Sequence, residues 1–387
     1  MKTSLRPLSL VVLSAMTALS AHAANLAWSP SGTFGGSVSA PTGSGGVGAW
    51  DTTSAFWSNS TGVAAWNNSN GDNAIFAGTG GTVTLGEAIT VNNVSISSTG
   101  YTIAGGGFTL TINGTITNTQ TGTITARIGG GDLTKAGNGT LVLNNASANT
   151  YTGNTNIQAG TLQARATAAL ASTTTVNISG GATLDVRASQ TVSGLTGGGT
   201  VNQSQTGGTT TLTVGSNSIN STFDGILKDG DATKFLALTK SGTSTLTLNG
   251  TSTFTGATTV TGGTLATGAT GTFGAGNVSV AAGTALTFGN NASIGDLKAL
   301  TFASSSAIAL NFTGSETVGS VFNSVTSTFL ADGTYDAAGL NSFFGGISAF
   351  SGTGSLTVSA IPEPATFAVL AGLAVLGLSA VRRRRHA

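Results

Sequence analysis

Only 7% of the 387 residues are charged and 59 are glycine, a composition found neither in charged disordered segments nor in ordinary enzymes. The formal net charge is +1, but residues 24–358 carry 8 basic and 12 acidic side chains, which argues against electrostatic binding of nucleic acid. The chain has no cysteine, which excludes disulfides, thiolate metal sites and a cysteine nucleophile and fits an export route. Thr, Ser, Asn and Gly surround single Val, Leu and Ile residues, so the composition predicts an almost entirely β protein.

The first 23 residues have the organisation of a signal peptide. A positively charged start precedes an apolar stretch over residues 8–19, which is too short to span a bilayer. Ala21 and Ala23 then supply the small-x-small pattern at which signal peptides are cleaved. The mature chain is therefore predicted to begin at Ala24.

Residues 24–82 are predicted to form an N-terminal cap rich in tryptophan. A solenoid must cover the apolar face of its first coil, and all 4 tryptophans of the chain lie in this stretch. Indole faces also pack on pyranose rings, so a sugar-stacking platform is the alternative. Capping is preferred because every solenoid needs a cap, whereas few carry a ligand site there. The tryptophans are Trp28, Trp50, Trp57 and Trp66.

Residues 83–304 contain internal repeats. The first repeat, residues 133–164, reads LTKAGNGTLVLNNASANTYTGNTNIQAGTLQA, and the second, residues 238–267, reads LTKSGTSTLTLNGTSTFTGATTVTGGTLAT. Their short alternating stretches, separated by Gly, Asn and Thr turns, are typical of strands with one buried face. Strands this short favour a right-handed parallel β-helix with terminal caps, whose coils bury inward Val, Leu and Ile against one another. Coils of roughly 20 to 25 residues predict about 13 to 17 coils.

The two repeats resemble the autotransporter-associated β-strand repeat. The hallmark of that family runs Leu-Thr-Lys-x-Gly-x-Gly-Thr-Leu-x-Leu, followed by an aromatic-Thr-Gly and then Gly-Thr-Leu. The first repeat matches throughout, whereas the second has Ser244 in place of the second glycine and Phe254 in place of tyrosine. No translocating β-barrel domain is expected after the repeats, so export past the outer membrane is expected to depend on other proteins.

The densest group of carboxylates in the chain is the strongest candidate for an active site. Asp224, Asp229 and Asp231 lie beside Lys228 and Lys234 in the stretch FDGILKDGDATKF. β-Helical lyases and hydrolases need clustered carboxylates, and a calcium site needs six or more oxygen ligands. A polar loop between coils is the simpler interpretation, so no catalytic residue, metal site or cofactor is assigned.

Residues 305–358 are predicted to form a C-terminal cap. Aromatic residues recur in its second half and would pack over the exposed face of the last coil. These residues are Phe329, Tyr335, Phe343, Phe344 and Phe350.

The final segment, residues 361–387, has three parts. A Pro-Glu-Pro triplet precedes an uncharged run over residues 365–381, and a cluster of four arginines follows. The run of 17 residues is at the lower limit for a transmembrane helix, and the positive-inside rule places the arginines in the cytoplasm. The two prolines hold the triplet extended outside the membrane. The triplet and the cluster consist of Pro362, Glu363, Pro364, Arg382, Arg383, Arg384 and Arg385.

Together these parts resemble the PEP-CTERM sorting signal of exopolysaccharide-producing Gram-negative bacteria, with a plain stop-transfer anchor as the alternative. The resemblance implies that a membrane-embedded exosortase recognises the triplet and that the tail is removed during sorting. It also implies a transient inner-membrane intermediate and a final location at the cell surface or in the extracellular matrix.

The sequence therefore predicts an exported, non-enzymatic protein with a structural or adhesive role. Its expected partners are the exosortase and exopolysaccharide or other biofilm matrix components, and no nucleic acid. Two alternatives remain: a β-helical enzyme that degrades polysaccharide, and a passive glycosylated surface coat.

Overall fold

The computed structural model describes residues 23–37, 39–205 and 207–359. These residues form an all-β parallel solenoid of the right-handed type with about 12 turns. The predicted β-helix is therefore confirmed. The number of turns is slightly below the expected range because the chain ends of the solenoid form hairpins and a short helix instead of regular coils.

The described strands are short, and most have one buried face. In chain order they are β1 (Asn25–Trp28), β2 (Gly35–Gly36), β3 (Pro41–Thr42), β4 (Gly48–Trp50), β5 (Trp57–Ser58), β6 (Val63–Ala64), β7 (Asn73–Phe76), β8 (Thr82–Leu85), β9 (Ile89–Val91), β10 (Val94–Ile96), β11 (Tyr101–Ala104), β12 (Thr109–Ile112), β13 (Thr115–Asn118), β14 (Gly122–Ile124), β15 (Arg127–Gly130), β16 (Leu133–Ala136), β17 (Thr140–Leu143), β18 (Thr155–Ile157), β19 (Thr161–Ala164), β20 (Thr175–Ile178), β21 (Thr183–Val186), β22 (Gln190–Val192), β23 (Gly194–Gly197), β24 (Thr200–Asn202), β25 (Gly208–Val214), β26 (Ser221–Phe223), β27 (Ile226–Leu227), β28 (Lys234–Lys240), β29 (Thr245–Leu248), β30 (Thr258–Val260), β31 (Thr264–Thr267), β32 (Val278–Val280), β33 (Ala285–Phe288), β34 (Ala299–Phe302), β35 (Ala307–Leu310), β36 (Ser315–Val318), β37 (Ser320–Asn323), β38 (Thr328–Phe329), β39 (Gly333–Asp336), β40 (Phe350–Gly352) and β41 (Ser355–Val358). A helix, α1 (Ala337–Phe343), lies between β39 and β40.

Three large sheets form the sides of the solenoid. The long sheet has 16 strands and runs from β6, β5 and β1 through β7, β10, β13, β16, β18, β20, β23, β26, β29, β31, β33 and β35 to β40. The N-terminal sheet has 9 strands, in the order β4, β8, β11, β14, β17, β19, β21, β24 and β27. The C-terminal sheet has 8 strands, in the order β22, β25, β28, β30, β32, β34, β37 and β38. The cross-section therefore changes along the axis, because only the long sheet extends from one end to the other.

The core is a set of inward columns, one residue from each coil. On the N-terminal sheet, Leu141, Leu162 and Leu184 are in register on successive strands, and all three are fully buried. Each coil buries its apolar side chains against the coils above and below, as the period-two sequence pattern predicts. Stability thus accumulates coil by coil.

The tryptophans of the N-terminal stretch form a buried cluster. The ring centroids of Trp57 lie 5.2 Å from Trp28, 4.9 Å from Trp50 and 4.8 Å from Trp66. All four side chains are at most 1% exposed. Because no indole face is open to solvent, the alternative of a sugar-stacking platform at these residues is wrong.

The C-terminal aromatic residues divide into a buried and an exposed group. Phe344 and Phe350 are buried, and each lies 5.0 Å from the ring centroid of Phe302 in the last coils. Phe329 is 62% exposed, because the antiparallel pairing of β37 and β38 places it against Phe322 on the outer surface. Its predicted packing role is therefore wrong.

Two further predicted cap residues are also not fully buried. Phe343 is exposed, and Tyr335 is half-buried against the core. Tyr335 precedes α1 and Phe343 is its last residue. The first turn of α1 is capped by the carboxylate of Asp336, which accepts a hydrogen bond from the backbone of Gly339 at 2.7 Å. The end of the short helix thus leaves Phe343 in solvent, whereas the following residue, Phe344, is buried.

Within the described residues, no helix is both long and apolar enough to span a membrane. The predicted transmembrane helix at residues 365–381 lies outside them.

Candidate functional site

Most residues predicted for processing lie outside the described part of the chain. This holds for Ala21 of the cleavage pattern and for the C-terminal sorting residues. The sorting residues concerned are Pro362, Glu363, Pro364, Arg382, Arg383, Arg384 and Arg385. Their assignment stays a prediction.

The two residues that flank the predicted cleavage site, Ala23 and Ala24, lie within the described part of the chain. Ala23 and Ala24 are both exposed, and the backbone nitrogen of Ala24 donates a hydrogen bond to Oδ1 of Asp72 at 2.8 Å. Asp72 is only 4% exposed, and its other oxygen accepts a bond from the side-chain amide of Asn70 at 3.3 Å. The backbone of Asn73 donates to the carbonyl of Ala24 at 2.8 Å. The residue predicted to start the mature chain is thus fixed to the first regular coil by a buried carboxylate.

The acidic stretch over residues 223–235, the candidate active site of the sequence, forms a hydrogen-bonded loop. Lys234 pairs with Asp231 at 2.6 Å, and the hydrogen bond from this lysine, with further bonds from Thr233, lowers the pKa of Asp231 to about 2. A carboxylate with so low a pKa is a poor general acid or base near neutral pH. Asp231 therefore stabilises the loop.

The other two carboxylates of this stretch face different segments. Asp229 accepts hydrogen bonds from the backbones of Leu236 and Thr255 at 2.7 and 3.0 Å, and Asp224 accepts one from the side chain of Asn249 at 2.6 Å. They do not converge on a shared point. Within the described ranges, no group of three or more His, Cys, Asp or Glu side chains is arranged to hold a metal ion.

The structure instead brings together three arginines that are far apart in sequence. Arg127, Arg165 and Arg187 are the only arginines between residues 24 and 358. Arg127 lines a groove with a volume of about 380 Å³, and Arg165 and Arg187 line a second one of about 310 Å³. The two cavities meet at Asn144, and together they form what we call the arginine groove. Its principal side chains are Phe108, Arg127, Asn144, Arg165, Arg187 and Gln205.

The coil register aligns the residues of the arginine groove. Asn144, Arg165 and Arg187 each follow the last residue of β17, β19 and β21, which are neighbours in the N-terminal sheet. The backbone of Arg165 donates to the carbonyl of Leu143 at 2.9 Å, and that of Arg187 donates to the carbonyl of Ala164 at 2.9 Å. The three residues thus form a column with a rise of about 4.8 Å per coil.

A hydrogen-bonded chain holds Arg165 in place. Its Nε donates to Oε1 of Gln163 at 2.6 Å, and Nε2 of Gln163 donates to the carboxylate of Asp185 at 2.6 Å. Asp185 is buried and also accepts bonds from the backbone and hydroxyl of Ser204, at 2.9 and 2.5 Å. The bond through Nε fixes the plane of the guanidinium, and the two terminal nitrogens take no part in this bond.

Within the described residues, no carboxylate forms a direct ion pair with an arginine of the groove, and Asp185 is linked to Arg165 only through Gln163. Among the residues that the structure describes, Lys234 and Asp231 form the only ion pair within 4 Å. Arg127 and Arg165 are exposed, and Arg187 is half-buried. The three guanidiniums are therefore available to an external anion.

An exposed aromatic ring borders the same groove. Phe108 is 42% exposed and closes a tight turn in which its backbone donates to the carbonyl of Gly105 at 2.7 Å. The intervening Gly106 and Gly107 have φ angles of 55° and 97°, which residues with a side chain rarely adopt. The turn therefore presents the ring to solvent at one end of the groove.

Two lysines of the repeats are buried, which the sequence did not indicate. Lys135 and Lys240 are 0% exposed and occupy inward columns, Lys135 between Ile116 and Ile157. The ammonium of Lys135 donates to the carbonyls of Ala136, Gly137 and Ala159, at 2.9, 2.6 and 3.0 Å. Burial lowers the pKa of both lysines to about 8. These lysines bond adjacent coils and face no ligand groove.

Comparison with known proteins supports the repeat assignment. The Passenger-associated-transport-repeat family matches residues 133–164 and 238–266. The chain is also similar to the adhesin BmaC autotransporter of Brucella suis biovar 1 (strain 1330), with 42% identity over 190 residues. That similarity covers 46% of this chain but only 5% of the adhesin. No solved structure matches the chain significantly. The predicted autotransporter-associated repeats are therefore confirmed.

Proposed function

We propose that this chain is an exported protein of the cell surface or extracellular matrix that acts as a structural or adhesive rod without enzymatic activity. The repeat family and the similarity to a protein named as an adhesin support this role. The observation that carries it is a column of outward hydroxyl groups along the C-terminal sheet. The members of this hydroxyl column are Thr191, Thr213, Thr239, Thr259, Ser279 and Thr301.

The hydroxyl column is suited to a long, hydrated ligand. Its residues lie on six neighbouring strands and are all exposed or half-buried, so the column extends over roughly 24 Å. Each hydroxyl can donate and accept a hydrogen bond, but one such bond gains little against water. Many weak contacts along one polymer add by multivalency. Exopolysaccharide is the polymer that we propose as the partner.

The route to the surface is also part of the proposal. A signal peptide removed after Ala23 would leave Ala24 with an α-ammonium group, which the buried carboxylate of Asp72 is placed to receive. At the other end, an exosortase would recognise Pro362, Glu363 and Pro364 while the following segment holds the chain transiently in the inner membrane. This contact at Ala24 supports the first step, and the sequence resemblance supports the second.

Terminal-peptide mass spectrometry on protein recovered from the native cell surface and medium tests the route. We expect an N-terminus at Ala24 and a C-terminus near Pro362. Peptides that extend through Arg385 in the surface fraction would contradict tail removal and make the segment a permanent anchor.

Adhesion and catalysis are tested on the same cells and polymer. A deletion strain is expected to retain less exopolysaccharide at its surface, and complementation with the intact gene should restore retention. The purified full chain should release no new reducing ends from that polymer. Unchanged retention in the deletion strain would refute the adhesive role, and polymer cleavage that is lost in Asp229→Asn would establish an enzyme.

A further inference from the structure

We propose that the arginine groove binds a carboxylate-bearing polysaccharide, a polyuronate, along the edge of the N-terminal sheet. This inference rests on the proposed function and deepens it, because it names the chemical class of the polymer and the side chains that select it. The hydroxyl column, by contrast, offers no charge with which to discriminate acidic from neutral polymers.

The guanidiniums supply the selection for carboxylates. Arginine presents a planar fork of donors that matches a carboxylate with two parallel hydrogen bonds. Gln163 occupies only the Nε of Arg165, and it is itself fixed by Asp185, so the terminal nitrogens are oriented before a ligand arrives. Asp185 accepts its bonds from Gln163 and Ser204, so it does not occupy the terminal nitrogens of Arg165, although its charge reduces the positive potential of the groove. The site is thus organised for an anion by side chains that are buried.

The spacing favours a polymer over a single small anion. Arg165 and Arg187 lie on adjacent coils, about one strand separation of 4.8 Å apart along the axis, and Asn144 extends the same column by a further coil. A pyranose ring with its linkage extends over a similar length. Successive uronate residues can therefore address successive coils, and the contacts add along the chain.

Phe108 and Asn144 complete the chemistry expected for a sugar. The exposed ring of Phe108 offers an apolar face to the C–H side of a pyranose, and the amide of Asn144 can both donate to and accept from hydroxyl groups. Binding sites commonly combine an apolar wall with a few placed polar groups. Single-stranded nucleic acid is less suited, because it needs a series of stacking aromatics in a longer basic channel, and here one ring serves the groove.

Binding of the purified full chain is measured against polygalacturonate, neutral dextran and a short single-stranded DNA, first at one ionic strength for all three polymers and then over a series of salt concentrations. We expect polygalacturonate to bind most tightly and its affinity to fall as salt is raised. The double variant Arg165→Gln/Arg187→Gln should weaken polygalacturonate binding by roughly tenfold or more, because two charge-assisted contacts are lost. Circular dichroism checks that the variant keeps its fold.

The matched control is Lys234→Gln/Lys298→Gln, which removes the same formal charge at residues that line neither cavity of the groove. It should bind polygalacturonate within about twofold of the unaltered chain if the groove and not the net charge is responsible. Phe108→Ala tests the sugar contact separately and should weaken polygalacturonate binding while leaving the salt dependence unchanged.

Each other outcome overturns the inference in a distinct way. Equal binding of dextran and polygalacturonate by both the unaltered chain and the arginine variant would refute the groove while leaving polysaccharide adhesion intact. Tighter binding of DNA than of polygalacturonate would assign the groove to nucleic acid. Binding of none of the three polymers would refute both the groove and polymer adhesion, while the surface location would still be decided by the terminal peptides.

Discussion

The two repeats share the same sequence motif but occupy different sides of the solenoid. In the first repeat, β16 and β18 belong to the long sheet, and β17 and β19 belong to the N-terminal sheet. In the second, the equivalent β28 and β30 belong to the C-terminal sheet, and β29 and β31 belong to the long sheet. The second repeat is therefore rotated by one side about the axis. The sequence of a repeat specifies two successive two-strand coils, but it does not specify which sides of the solenoid they form.

The departure at Ser244 has a local explanation in the preceding coil. At the equivalent Gly139, a Cβ atom would lie 2.3 Å from the carbonyl oxygen of Gln120, so backbone packs directly on backbone. Beside Ser244, the next residue Thr245 donates its backbone N–H to the side chain of Asn220 at 2.8 Å, so a side chain spans the gap. We infer that this bridge through a side chain accommodates the hydroxymethyl group of Ser244, which is 4% exposed.

The departure at Phe254 is compensated by a neighbouring threonine. In the first repeat, the Tyr151 hydroxyl bonds to Thr155 Oγ1 at 2.7 Å and accepts from the backbone of Ala171 at 3.1 Å. In the second, Thr258 stands where Thr155 does and donates to the carbonyl of Phe273 at 2.6 Å. Loss of the phenol therefore leaves no unpaired threonine.

The largest difference in stability between variants of the two repeats is expected for Gly139→Ser and Ser244→Gly, which place each residue in the other repeat. Gly139→Ser forces the backbone of Gln120 to move and is expected to destabilise the protein by about 3 kcal/mol. Ser244→Gly only adds chain freedom and should cost less than about 1 kcal/mol. Urea unfolding followed by circular dichroism measures both. Equal losses would show that the two coils have the same spacing.

The two buried lysines should differ in their contribution to stability, because they donate hydrogen bonds to different numbers of carbonyls. Lys135 donates to three carbonyls, whereas Lys240 donates to those of Ser241 and Gly262, at 2.5 and 3.3 Å. Lys135→Met is expected to cost about 2 kcal/mol and Lys240→Met about 1 kcal/mol, because the methionine packs well but leaves the carbonyls without a donor. The same urea experiment applies. A gain in stability from either variant would mean that desolvation of the ammonium outweighs its hydrogen bonds.

The same lysines should make stability depend on pH above neutrality. Their pKa is lowered to about 8 by burial, below the ordinary lysine value, so the unfolded chain binds more protons between these limits. The free energy of unfolding should therefore rise as the pH is raised from 8 to 9.5. The gain is lost when the pH is lowered to 8, where the folded chain takes up the protons again. This range avoids the Glu316 carboxyl, whose pKa burial raises to about 7, and the Tyr101 phenol, raised by burial to about 12.

Unfolding of the double variant Lys135→Met/Lys240→Met over the same pH range provides the control. Its stability should be nearly independent of pH between 8 and 9.5, because the titrating groups with lowered pKa are gone. A slope equal to that of the unaltered chain would assign the dependence to other groups.

The smallest effect is expected at the aromatic position. Tyr151→Phe removes the acceptor for Ala171 and the partner of Thr155, at a cost of about 1 kcal/mol. Combined with Thr155→Val, the loss should be smaller than the sum of the single losses, because both changes remove the same bond. Strict additivity in this double-mutant cycle would show that the bond contributes nothing.

The sequence predicted the solenoid and its repeats because those features depend on local patterns. The alternation of apolar residues and the glycine turns determine where each strand lies. Each coil then packs only on its neighbours, so no pairing between distant parts of the sequence has to be predicted. The buried Lys135 could not be predicted, since alternation marks it as inward but its charge marks it as exposed. Only the Gly137 turn, with φ of 75°, places carbonyls where the ammonium can reach them.

The arginine groove was not predicted for a different reason. Arg165 and Arg187 are separated by the length of one coil, and that length varies along the chain, so their alignment requires the register of β19 and β21. The sequence signal that could have found them is the shared position after each Leu-x-Ala or Leu-x-Val strand end. The acidic loop around Asp229 is conspicuous because five charged residues lie within 11 positions of the sequence, yet each carboxylate binds a different segment.

The rotation of the second repeat also affects how such a protein can diversify. Asn144 of the first repeat follows a strand of the N-terminal sheet, whereas its counterpart Asn249 follows a strand of the long sheet and donates to Asp224. A gene duplication that lengthens the rod can therefore turn an identical surface residue towards a new direction. The duplicated position is then free to acquire a different role by point mutation, while the original surface is kept unchanged.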